Sequence, residues 1–85
     1  MSTRFPSLPN LECLIDGEGE ITIGRVGPVH CAATASYEHD ALAMLVRRDD
    51  ETLEQLLIRL DRAIEMAQEE DAFIDEINNG MDNRI

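Results

Sequence analysis

The sequence predicts an α+β domain: a three- or four-stranded antiparallel meander followed by one long amphipathic helix packed on it. Two observations carry this. Short runs of alternating apolar and polar residues, punctuated by turn residues, fill the first half. In the second half a capping signature opens a stripe of apolar residues at three- and four-residue spacing.

Taken in order, residues 1–10 carry Pro6 and Pro9 and are expected to form an extended arm. Leu11, Cys13 and Ile15 alternate, which predicts a first strand over 11–15. Asp16-Gly-Glu-Gly-Glu20 then reads as a hairpin turn whose glycines can supply positive φ. Residues 21–26 alternate as a second strand and end at Gly27-Pro28. From Val29 to Tyr37 the odd positions are Val, Cys, Ala, Ala and Tyr, and the even ones smaller or more polar, which predicts a third strand. Glu38-His39-Asp40 is the next turn, and the nearly continuous apolar run 41–47 is a fourth strand. A helix from Ser36 to Arg48 is the alternative, because Ala, Leu and Met also favour helices.

Thr52 followed by Gln55 is a capping box. Leu53, Leu56, Leu57, Leu60, Ala63, Ile64 and Ala67 then form one apolar stripe, so a helix is expected from Leu53 to Glu70. A continuation would carry Asp71 into the centre of the buried face, where an unpaired carboxylate is strongly unfavourable, so the helix should end or bend there. Residues 72–77 read equally as a short helix or a strand. Residues 78–85, beginning at Asn78-Asn-Gly80, are expected to be a loose tail, leaving 11–77 as the single domain.

The chain has 85 residues, enough for one small core. A hydrophobic fraction of 44% is too high for a disordered chain, and aromatics at 4% leave Leu, Ile, Val, Ala and Met to build that core. Eighteen acidic residues face seven basic ones, all arginine, for a formal charge of −11. Such a balance argues against direct nucleic-acid binding and against an anionic membrane surface, and favours a basic protein partner. No apolar run is long enough to span a bilayer and no signal-like segment opens the chain, so the expected compartment is the cytoplasm, where Cys13 and Cys31 stay reduced.

No constellation predicts catalysis. Cys13, His30, Cys31 and His39 lack the paired spacing of zinc ligands, and adjacent His30 and Cys31 on a strand point to opposite faces. Cys31 shares its face with Val29 and Ala33, where a thiol packs as a small hydrophobe and is inert. No glycine-rich phosphate loop and no EF-hand loop is present. The chain is therefore expected to be no enzyme and to use no cofactor or metal.

The acidic helix face is the candidate site. Glu54, Asp61, Glu65 and Glu69 fall on one side, away from the apolar stripe. Asp61, Glu65 and Glu69 repel one another at i, i+4 and i+8, and acids near a helix C-terminus oppose its dipole. Asp61, Glu65, Glu69, Glu70, Asp75 and Glu76 are the residues expected to bind a basic partner, with a solvated, purely solubilising face as the plainer reading. Ile58, Met66 and Phe73 lie off the stripe and predict a self-association surface, a small core being readily completed by a second copy.

Thr52-Leu-Glu-Gln-Leu-Leu57, a capped helix start after strands, resembles the HicB-type antitoxin fold, in which a strand meander precedes a helix. Phe5-Pro-Ser-Leu-Pro9 is a similar stretch but stands before the strands here. The resemblance spans little more than the helix start and assigns no membership. The expected function is thus a non-enzymatic binding module of the inhibitor, antitoxin or immunity-protein kind, engaging a basic, nucleic-acid-handling partner. A structural homodimer or assembly subunit is the alternative.

Overall fold

A computed structural model describes residues 7–77. The elements run α1 (Pro9–Asp16), β1 (Glu20–Val26), β2 (Val29–Tyr37), β3 (Asp40–Val46), α2 (Leu53–Glu70) and β4 (Ile74–Asp75). The sheet order is β1-β2-β3-β4. The meander β1-β2-β3 is antiparallel, as expected, and α2 packs on it. The short β4 pairs parallel to β3, so the sheet is mixed. Of residues 72–77, open between helix and strand in the sequence, Ile74 and Asp75 supply this edge strand and Glu76 and Ile77 are helical.

The segment expected as the first strand is a helix. Leu11, Cys13 and Ile15 alternate, but Leu8, Leu11 and Leu14 also recur every three residues, and the helical period wins. Leu8 and Leu14 are buried, Leu11 packs on the core, and Cys13 is exposed. Of residues 1–10, expected as an extended arm, Pro9 and Asn10 instead open α1. Residues 1–6 and the expected tail 78–85 lie outside the described residues.

The connection 16–20 is therefore a helix-to-strand link rather than a hairpin turn. Gly17 ends α1, and the positive φ falls on Glu18 (73°) instead of a glycine. Gly19 is required for space: a Cβ there would lie 2.5 Å from the Leu14 side chain. The β1–β2 turn has Gly27 at φ 56°, as two-residue hairpin turns favour. The β2–β3 turn uses Glu38 (φ 51°) and His39 (φ 81°), two non-glycine residues in the left-handed region.

The core lies between the helices and one face of the sheet. Ala33, Ala35, Ala43 and Leu45 meet Leu56, Leu60, Ala63, Ile64 and Leu14. Ala35 pairs with Ala43 and Ala33 with Leu45, so small side chains let α2 approach the strands closely. Leu53, placed on the stripe by its spacing, is 46% exposed. The helix stops where the buried carboxylate argument places its end. Asp71 takes a left-handed conformation (φ 56°) and stays exposed.

Candidate functional site

The acids of α2 and its flanks divide into two groups. Asp61 belongs to the first, which corrects its expected place on the outward ridge. It is 7% exposed, and Oδ1 accepts hydrogen bonds from the backbone N–H groups of Asn10 and Leu11, both at 2.8 Å. Its Oδ2 accepts the Asn10 side-chain amide at 3.1 Å. No residue at the α1 N-terminus caps it by its own side chain, and Pro9 carries no N–H. Asp61 supplies that cap from α2, satisfying donors that the first turn leaves open.

Glu76 is the second expected site residue that the fold uses. Its Oε1 accepts the Val46 N–H at 2.9 Å, and its Oε2 takes the Arg59 guanidinium at 2.7 Å. Arg59 also donates to the Val46 carbonyl at 2.9 Å and forms a two-point pair with Glu51, Nε to Oε2 at 2.8 Å and Nη2 to Oε1 at 3.0 Å. The two-residue β4 is paired at Ala43 and Met44. Both backbone groups of Val46, beyond it on β3, are met by Glu76 and Arg59 instead. Glu51 further accepts the Arg48 N–H at 3.0 Å, so the same group fixes the 47–52 loop. The hydrogen bond from Arg59 lowers the Glu51 carboxyl to about 2, against the opposing effect of its burial.

Neither Arg59 nor Glu51 stands out in the sequence. An arginine inside an otherwise amphipathic helix looks like any other polar-face residue, and its partners lie 8 and 17 residues away. Only the β3–α2–β4 path brings the three together.

The acids of the C-terminal turns of α2 face outward. Glu65, Glu69 and Glu70 are exposed, as is Asp71 after them. Glu65 has one long contact from the Asn10 amide, at 3.5 Å. No basic residue stands in the last turn of α2, and among the described residues both ion pairs belong to Arg59. Like charges at i, i+4 and at a helix C-terminus each weaken the helix slightly, so the charges of this ridge work against the helix. Asp75 is half-buried on β4, opposite Met44.

Ile58, Met66 and Phe73 are exposed, at 37%, 40% and 52%. Phe73 lies in a groove with Leu42, Ala67 and Ala72, which neither Ile58 nor Met66 lines. A cleft of about 270 Å³ opens between the α1–β1 link and the β2–β3 turn, lined by Glu18, Glu20, Tyr37, Glu38 and His39 among others. Among the described residues no three His, Cys, Asp or Glu side chains are grouped to hold a metal ion, and no helix is long and apolar enough to cross a membrane. Cys13 and Cys31 are free thiols. Compared with protein-family models, curated protein sequences and solved structures, the chain matches none.

Proposed function

We propose that this chain is a non-enzymatic binding module whose acidic α2 ridge engages a basic protein in the cytoplasm. The observation that supports it is the ridge itself: Glu65, Glu69 and Glu70 stand exposed and, among the described residues, without cationic partners, at a position where the helix would gain from basic residues. The net charge of −11 adds a long-range field that steers a cationic partner towards the chain. A basic protein that handles nucleic acid fits this field, because its own substrate is likewise densely negative. Inhibition by occupying such a partner's basic surface is the mechanism the reading implies. The residues carrying it are Glu65, Glu69 and Glu70. Asp61 and Glu76, which the sequence grouped with them, serve the fold.

The test is affinity capture from the native host's lysate by the wild type and by Glu65→Arg/Glu69→Arg/Glu70→Arg. A basic partner held at low salt, released at high salt and lost with the reversed variant is the expected result. A partner set that the reversal leaves unchanged would refute the proposal.

A further inference from the structure

The two edges of the sheet are finished differently. At the β4 edge, strand pairing is short, and Glu76 and Arg59 meet the Val46 backbone beyond it. At the β1 edge, six of the seven residues pair with β2 on one side, and among the described residues no other group bonds to their backbone. Native sheets usually blunt such an edge with proline, lysine, inward charges or a covering element. Here the centre of β1 is Ile21-Thr22-Ile23-Gly24, uncharged, with Ile23 40% exposed. Residues Glu20 to Gly24 keep regular register with β2, and the irregularity lies beyond them, between Gly24 and Val26.

We propose that β1 pairs antiparallel with β1 of a second copy of this chain, about a two-fold axis at Thr22. The sequence around the edge is self-complementary in that register. Ile21 of each copy lies opposite Ile23 of the other, on the same face, making two apolar cross-strand pairs. Beyond the regular register, which ends at Gly24, the end of β1 that carries Arg25 adjoins the other copy's opposite end, where Glu18 and Glu20 stand. Arg25 is exposed and among the described residues forms no ion pair, so this placement gives the only cation of β1 an acidic neighbourhood at each end of the paired stretch. The result is one continuous sheet through both copies. An interface centred on this edge leaves the acidic α2 ridges free and does not depend on the function proposed above. It also differs from the helix-borne surface of Ile58, Met66 and Phe73 expected from the sequence.

Sedimentation equilibrium of the full chain tests this at about 50 mM and about 500 mM salt, conditions that bracket weak and strong screening. The expected result is a species of twice the 9.5 kDa chain mass whose fraction rises with salt, because two copies of charge −11 repel when unscreened. Capture of a basic partner has the opposite salt dependence, so the two proposals fail separately. Ile23→Glu is expected to raise the dimer's dissociation constant about tenfold or more, by setting a charge against the opposing isoleucine. Arg25→Glu should act in the same direction at low salt, and its exposed position spares the fold. Ile58→Glu/Met66→Glu should leave the dimer unchanged. A monomer at every concentration, or a dimer broken by the helix double variant and indifferent to Ile23→Glu, would overturn the proposal.

Discussion

Two sets of carboxylates sit on or beside the same helix and behave in opposite ways. Asp61, Glu51 and Glu76 point into the fold, each with several hydrogen-bond donors, and close the α1 N-terminus and the end of β3. Glu65, Glu69 and Glu70 point into water, where they repel one another and oppose the helix dipole. A carboxylate is worth stability when its donors are fixed by the backbone and partly shielded from solvent; without donors it is a net cost. The difference separates acids that build the domain from acids available to a partner.

The comparison breaks most visibly at Arg59. Arg59→Ala removes the guanidinium that pairs Glu51 and Glu76 and bonds the Val46 carbonyl, leaving Glu51 largely enclosed without its cation. Loss of about 2–4 kcal/mol is expected, below the range for a fully buried pair because Arg59 and Glu76 are partly exposed. Chemical denaturation reads it directly. Next comes Asp61→Ala, which strands the N–H groups of Asn10 and Leu11 at the start of α1. A loss of about 2 kcal/mol is expected, with hydrogen exchange of the α1 amides accelerating before the rest of the chain.

A smaller effect sharpens the contrast through pH. Glu51 titrates at about 2 when folded, against an ordinary 4.5. Because folding lowers its pKa, its contribution is complete above pH 4.5 and drains away as the pH falls towards 2. The stability gap between wild type and Glu51→Gln should therefore be widest near neutrality, at about 1–2 kcal/mol after allowing for solvent screening, and narrow through that acid window. A gap that stays constant with pH would show that the pair contributes by packing rather than by charge.

How much of this was legible in the sequence depended on how local the cause was. Helix α2 was readable because its cap, Thr52 with Gln55, and its apolar stripe are short-range signals, and both halves of the capping box form. The two hairpins followed from alternation and turn residues at Gly27-Pro28 and Glu38-His39. Helix α1 is hidden because five residues from Leu11 to Ile15 satisfy both periods, and the deciding interaction is nonlocal: the Asp61 cap arrives from 51 residues away. The same distance explains Asp61. Its helical angle places it beside the acidic face, yet α1 packs over that flank and buries it. Strand β4, at two residues, is too short to leave a pattern. The outward ridge was legible as charge, while the division between used and unused acids required the fold.

The most direct test of that division is urea unfolding of Glu65→Gln/Glu69→Gln/Glu70→Gln beside the wild type at neutral pH. The account predicts a variant at least as stable as the wild type, gaining about 0.5–1 kcal/mol from relieved repulsion and a better helix C-terminus. A loss of more than about 1 kcal/mol, beyond the usual range for surface substitutions, would place these three carboxylates with Asp61 and Glu51 as parts of the fold and contradict the claim that they are held for a partner.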